Sequence, residues 1–262
     1  MPTTPLIAYT HVGKTFDDGR VRAVDDVSLD VAEGEFLAIV GGSGSGKTTL
    51  LRLANRLIEA DSGSITVEGE DVRNVDPILL RRRIGYVFQS GGLFPHLSVA
   101  GNIGITPKLT GTPPAEISAR VDELLDLVRL DRAQYRDRLP HELSGGQRQR
   151  VGVARALAAK PRIVLMDEPF GALDPLTRDA LGDDFRELHR TLGLTTVMIT
   201  HDMTEAILLA DRIAVMGGGK LLAQGTPSEL SESDDTYVGE LLRTPRRQAE
   251  RLGALLPREG AA

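Results

Sequence analysis

The run Gly41-Gly42-Ser43-Gly44-Ser45-Gly46-Lys47-Thr48 satisfies the pattern G-x-x-x-x-G-K-[ST], and its residue types point to phosphate chemistry. Glycines let a backbone curl until several N–H groups converge on phosphate oxygens, at φ values other residues tolerate poorly. Lys47 supplies a cation for β- and γ-phosphates, Thr48 a hydroxyl for Mg²⁺, and Thr49 a further polar contact. A flexible Gly/Ser turn before an ordinary helix is the competing reading. The apolar approach Phe36 to Val40 and the helical pattern Thr49 to Leu57 count against it, because together they aim a helix N-terminus at the loop.

Two carboxylates, Asp167 and Glu168, follow the apolar run Ile163-Val164-Leu165-Met166. A strand that is apolar throughout suits the interior of a parallel sheet, whose carboxyl edge is where open α/β sheets bind ligands. Asp167 is suited to hold Mg²⁺ through water and so complete the shell begun by Thr48; Glu168 is placed to polarise an attacking water. Alone, such a pair reads as solvated charge. Beside a phosphate loop it reads as the hydrolytic pair.

Leu143-Ser144-Gly145-Gly146-Gln147 precedes the helical run Arg148 to Ala159 and repeats the physics of the first loop, with small residues and a hydroxyl at a helix N-terminus. By itself Ser144 reads as an N-cap. A second cradle in a chain that already has one makes sense when it serves the nucleotide of another copy.

The elements that must position these groups follow from apolar patterning. Val27 to Val31, Phe36 to Val40, Ile65 to Val67, Gly85 to Phe88, Ile163 to Met166, Thr196 to Thr200 and Ile213 to Met216 read as strands, with helical patterns between several of them. Pro113 to Arg138 carries Ile117, Val121, Leu124, Leu125 and Val128 at helical spacing and reads as a helical insertion between sheet strands. Thr236 to Leu255 is polar and helical, with Pro245 expected to interrupt it.

Taken together these residues resemble the ATP-binding-cassette ATPases, in which Leu-Ser-Gly-Gly-Gln is the signature motif that contacts ATP across a head-to-tail dimer. Four further positions extend the resemblance. Gln89, after Tyr86-Val87-Phe88, resembles the Q-loop glutamine that touches Mg²⁺ and the attacking water; Asp174, in Gly171-Ala172-Leu173-Asp174, belongs to what resembles the D-loop. His201, in Thr200-His201-Asp202, resembles the switch histidine at the γ-phosphate, and Phe16 lies where the family places an aromatic that stacks on adenine. His11, His96, His141 and His189 read as structural.

The resemblance implies an α/β fold: a P-loop NTPase core with a mostly parallel sheet, an N-terminal antiparallel β subdomain and an inserted α-helical signature-motif subdomain. It implies an ATP-binding domain over 1–232 with the helical subdomain at about 90–160, and a short helical tail over 233–262. Catalysis falls to Glu168, His201, Lys47 and Gln89; metal binding to Thr48, Gln89 and Asp167; nucleotide contact also to Gly41 through Thr49, Phe16, Ser144, Gly145, Gly146, Gln147 and Asp174. Two positions depart from the usual pattern: Gly42 stands where proline is common, and Gly101 where glutamate often precedes the asparagine, here Asn102.

Composition narrows the class. With a net charge of −6 no basic field points to nucleic acid, and the absence of cysteine excludes disulfides, thiolate zinc sites and thiol nucleophiles. Met1 to Tyr9 lacks the pattern of a secretory signal, and no window offers the roughly 20 apolar residues of a membrane span, so any membrane role runs through a partner. Only about 120 residues separate Lys47 from Asp167, too few for the long coiled coil of chromosome-maintenance relatives.

A transporter ATPase remains, working as a dimer with integral permease subunits at the cytoplasmic face of the plasma membrane and indirectly with a substrate-binding protein. Leu93 to Val99, Asn102 to Gly111 and Asp202 to Ala206 look closest to importers of osmoprotectants and quaternary amines such as glycine betaine, choline, carnitine or proline. An exporter cassette, an importer for another small solute and a soluble non-transport ATPase of the same family are the alternatives.

Overall fold

A computed structural model describes residues 5–89 and 91–255 of the chain. Its strands are β1 (Ile7–Phe16), β2 (Val21–Val31), β3 (Phe36–Val40), β4 (Ser62–Val67), β5 (Glu70–Asp71), β6 (Ile84–Val87), β7 (Ile163–Asp167), β8 (Thr195–Thr200), β9 (Arg212–Gly217) and β10 (Lys220–Gly225). Its helices are α1 (Lys47–Ala54), α2 (Pro77–Arg83), α3 (Val99–Ile103), α4 (Ile105–Leu109), α5 (Pro114–Leu127), α6 (Arg132–Tyr135), α7 (Gly145–Leu157), α8 (Pro175–Leu192), α9 (Met203–Leu209), α10 (Pro227–Ser231) and α11 (Thr236–Leu255).

The strands form two sheets. One is antiparallel, in the order β2-β1-β4-β5; the other runs β10-β9-β3-β8-β7-β6 and is parallel except for the hairpin strand β10 at its edge. Every residue of β3, β7 and β8 is buried, as expected where both faces of a sheet are covered; β3 and Ile163 to Met166 of β7 are apolar throughout, and β8 adds the buried Thr195, Thr196 and Thr200. Alternation then divides them. Phe36, Ala38 and Val40 face a core shared with α3, α5, α7 and α8, whereas Leu37 and Ile39 face a core shared with α1 and the antiparallel sheet.

Register decides what the sheet can do. Val40 pairs with Thr200, Asp167 with Ile199, and Val87 with Met166. The residues that continue these strands therefore leave the sheet at one carboxyl edge: Gly41 after β3, Glu168 after β7, His201 after β8 and Gln89 just beyond β6.

Each strand expected from the sequence is present, as are the helices of the insertion, here α5 and α6. Three strands had no individual expectation: β1, β5 and β10. β1 is a central strand of the antiparallel sheet with several irregularities of register, so its apolar residues do not alternate cleanly along the sequence. One expectation is corrected. Pro245 does not interrupt the C-terminal helix, because α11 continues from Thr236 to Leu255 with Pro245 inside it. The helix carries the proline without a break and forgoes the one backbone bond from position 245 to the Leu241 carbonyl.

Among the described residues no helix is long and apolar enough to cross a membrane.

Candidate functional site

The phosphate loop is shaped by its glycines. Gly41 has φ 153° and Gly46 φ 98°, and a Cβ at these positions would stand 2.2 Å from the Met216 carbonyl and 2.0 Å from that of Ala23. Backbone from β9 and β2 thus presses on the loop from two sides, and only glycine fits. The loop feeds directly into α1, whose N-cap, Gly46, makes no side-chain cap to the first-turn N–H groups.

Lys47 is buried, and its ammonium donates to the carbonyls of Gly41 and Gly42, each at 2.9 Å. Burial pulls its pKa below the ordinary lysine value, while the negative charges of Glu168 and Asp167 push it back up. Thr48 Oγ1 lies 3.3 Å from Asp167 Oδ1 across 119 residues of sequence. The other oxygen of Asp167 is taken by Arg52 at 3.3 Å and by the Tyr86 hydroxyl at 3.2 Å. Burial and the neighbouring Asp167 raise the Tyr86 phenol to about 12, so it stays a donor.

Glu168 occupies left-handed backbone at φ 46°, uncommon for a residue with a side chain and of the kind that collects at functional sites. Its amide donates to Ile199, and its carboxylate receives the Gln89 amide at 3.1 Å and faces His201 Nδ1 at 3.2 Å. Phe16 lies half-exposed at the end of β1, with Lys14 Nζ 5.5 Å from its ring centroid.

The second group stands apart. Ser144 caps α7 by accepting from the Gln147 N–H, and Gln147 returns the bond to the Ser144 N–H at 2.9 Å. Gln147 also donates to the Tyr135 hydroxyl at 3.0 Å, and Asp174 caps α8 through the Thr177 N–H at 3.0 Å. A Cβ on Gly145 would touch Leu173 and one on Gly146 would strike Thr177, so the 143–147 segment and the 171–174 loop are neighbours. Among the described residues no hydrogen bond or ion pair joins Ser144 through Gln147 to the 41–49 loop or to Glu168.

Several residues that tie these groups together carry no motif. Arg52 and Tyr86 hold Asp167; Arg178 spans from the Leu173 carbonyl at 3.1 Å to Asp202 at 3.4 Å. Buried Arg155 donates to Gly91 at 2.8 Å and Gly92 at 2.7 Å, just after Gln89. Tyr237 of α11 accepts the Gly42 N–H at 3.0 Å. In the sequence, Arg155 is visible only as a basic residue on the apolar side of a helix, and nothing nearby identifies its partner.

A family profile described as "ABC transporter" matches residues 24–171. The chain is 48% identical over 259 residues to the glycine betaine/carnitine/choline transport ATP-binding protein OpuCA of Bacillus subtilis (strain 168), which covers 97% of this chain and 68% of that protein. It is 51% identical over 222 residues to the glycine betaine uptake system ATP-binding protein YehX of Escherichia coli (strain K12), covering 85% and 71% respectively. The chain spans between 56% and 71% of the length of curated relatives of this kind. The dimeric post-hydrolysis structure of the ATP-binding cassette MJ0796, bound to ADP and Pi, superposes with a TM-score of 0.75 at 32% identity over 84% of this chain and 98% of that one. With a profile match over more than half of its length and the mixed α/β fold of solved cassettes, this chain belongs to the ABC transporter family and is an ATP-hydrolysing cassette of that family.

Proposed function

We propose that the chain is the ATPase subunit of an importer for a small quaternary amine or related osmoprotectant, working as a head-to-tail dimer under integral permease subunits at the cytoplasmic face of the membrane. The observation that carries the catalytic part is the convergence on Glu168 of Gln89 and His201, at the sheet edge that also carries the Lys47 loop. The solute class rests on the relatives, whose names specify glycine betaine, carnitine and choline.

In this reading 1–232 form the ATP-binding domain, with its helical subdomain at about 90–160, and 233–262 a tail. Lys47 exchanges its loop carbonyls for the β- and γ-phosphates of ATP, while the open N–H groups of α1 cradle the same oxygens. Glu168 accepts a hydrogen bond from the attacking water and orients it; His201, held against Glu168, places its ring beside the departing γ-phosphoryl group. Phe16 offers its exposed face to adenine. Ser144, Gly145, Gly146 and Gln147 serve the nucleotide of the partner copy, and Asp174 links the two sites.

The residues fit a magnesium ion. Thr48 and Asp167 turn hard oxygen donors toward each other, and Arg52 and Tyr86 occupy only the far oxygen of the carboxylate. Thr48, Asp167 and Gln89 would hold the ion, which when bound with ATP neutralises charge on the β- and γ-phosphate oxygens.

The test is reconstitution with the membrane subunits and binding protein in liposomes, following labelled glycine betaine and choline with ATP on the side of this chain. ATP-dependent accumulation supports the reading. ATP hydrolysis that moves solute outward makes it an exporter cassette, and failure to associate with any membrane subunit makes it a non-transport ATPase.

A further inference from the structure

We infer that Tyr237, near the start of α11, is a positioning residue for the phosphate loop and couples the C-terminal helix to nucleotide binding. The inference rests on the ATP-site reading above and extends it to an element far away in sequence. The Tyr237 hydroxyl accepts the Gly42 N–H at 3.0 Å, a contact that spans 195 residues.

Both sides of Gly42 are in use. Its N–H is held by Tyr237, while its carbonyl accepts from Lys47 Nζ at 2.9 Å and from the Ser45 N–H at 3.3 Å. The residue is clamped between the tail and the lysine that must reach the phosphates. When Lys47 leaves the loop carbonyls for a nucleotide, the Tyr237 bond continues to hold the entry half of the loop and limits the freedom that ligand binding would otherwise have to remove.

The donor at position 42 is what matters. A Cβ there would sit 3.6 Å from the Tyr237 hydroxyl, an ordinary contact, and Gly42 is not among the left-handed glycines of this loop. Neither crowding nor φ requires glycine. A proline would have no N–H to give, and its Cδ would stand in the direction now filled by the Tyr237 hydroxyl.

Tyr237 is itself anchored. Asp235 accepts from the N–H groups of Tyr237 at 2.9 Å and Val238 at 3.0 Å, the Val238 side chain is fully buried, and Leu241 and Leu242 pack against the core shared by β3 and α9. Displacing α11 therefore displaces the hydroxyl. By linkage, ATP bound at the loop must stabilise the docked helix by the same free energy with which the docked helix favours ATP.

The experiment compares ATP affinity, steady-state kinetics and hydrogen exchange in Tyr237→Phe, Gly42→Pro, the double variant and Lys47→Ala. Tyr237→Phe keeps the ring and removes the acceptor; Gly42→Pro removes the donor. Each is expected to weaken ATP binding about 3- to 10-fold, the range one net hydrogen bond supplies, and Tyr237→Phe to raise KM for ATP while its kcat stays within about twofold. The double variant should be no worse than either single one, because both remove the same bond. ATP should slow amide exchange over 241–252 in the wild type and not in Tyr237→Phe.

The controls separate the two levels. Lys47→Ala that binds ATP normally overturns the reading of the site. Loss of ATP in Lys47→Ala together with wild-type affinity in Tyr237→Phe, or additive effects in the double variant, overturns the role of Tyr237 alone. Should Gly42→Pro fail to fold, Tyr237→Phe and its exchange pattern decide: ATP-dependent protection of α11 that persists without the hydroxyl rejects the coupling.

Discussion

Nδ1 of His201 lies 3.2 Å from Oε2 of Glu168, although 33 positions separate them in the chain. The contact exists because β7 and β8 are adjacent parallel strands in register, so the first residues beyond each meet at one edge. Glu168 accepts left-handed backbone to turn its carboxylate to this meeting point, and Gln89 closes on the same oxygen from beyond β6. Strain at a residue pinned by its surroundings fits the preorganised catalytic role proposed for Glu168.

Glu168→Gln keeps the length and hydrogen-bonding reach of the side chain and removes its charge. Because the phosphate loop is untouched, ATP affinity should stay within a few-fold of wild type. Phosphate release should fall by at least about 100-fold, the scale of a positioned base. Paired measurements of ATP binding and phosphate release check this, and near-normal turnover would place the catalytic carboxylate elsewhere.

The separation of Ser144 through Gln147 from the Lys47 loop predicts complementation. Lys47→Ala chains and Ser144→Arg chains should each be inactive alone, yet mixtures should recover part of the ATPase activity. In the proposed head-to-tail dimer a mixed pair would retain one composite site, built from Lys47 of one chain and Ser144 of the other. Activity per chain of the wild type should likewise rise with protein concentration. No recovery in the mixture means that both cradles serve one chain.

Arg155 sends two hydrogen bonds to the Gly91 and Gly92 carbonyls while its guanidinium lies 5.7 Å from the Phe88 ring centroid and 5.9 Å from that of Phe94. Arg155→Met fills similar space without donors and should cost about 1.5–3 kcal/mol in denaturant unfolding. Turnover should fall as well, because the segment after Gln89 loses its anchor. Arg155→Lys should recover only part, since an ammonium cannot reproduce the fork.

Glu205, buried at the start of α9 beside His201, has its pKa raised above the ordinary 4.5, chiefly by burial and further by Asp202, with Thr200, Arg178 and His201 opposing. A carboxyl whose folded pKa is raised contributes stability that is complete below its unfolded value and is lost as pH climbs through the folded one. Glu205→Gln removes that dependence. Its melting temperature relative to wild type should therefore improve from pH 5 to pH 8, and thermal unfolding across that range tests the sign. A difference that shrinks with rising pH would mean that Glu205 is held as a stabilised anion.

Groups whose function depends on local geometry were readable along the chain. Gly41 through Thr48, Asp167 with Glu168, and Ser144 with its glycines announce themselves because a turn, a cap or a strand end needs those residue types at those spacings. The buried strands β3 and β7 were equally legible, since burial on two faces favours a run of apolar residues. Continuity through Pro245 was not, because the proline rule is local and the packing of Val238, Leu241 and Leu242 against the core holds α11 from outside that window.

What only the tertiary structure decided is partnership. Arg52 and Tyr86 on Asp167, Arg155 on the segment after Gln89, and Tyr237 on Gly42 are long-range hydrogen bonds made by residue types common throughout the chain. Their partners are chosen by strand order and register. A sequence determines which chemistry a short segment is able to carry, because backbone conformation and side-chain type are local properties. Which segments share a site depends on the packing of sheets and helices around a common core, and that information is spread over the whole chain.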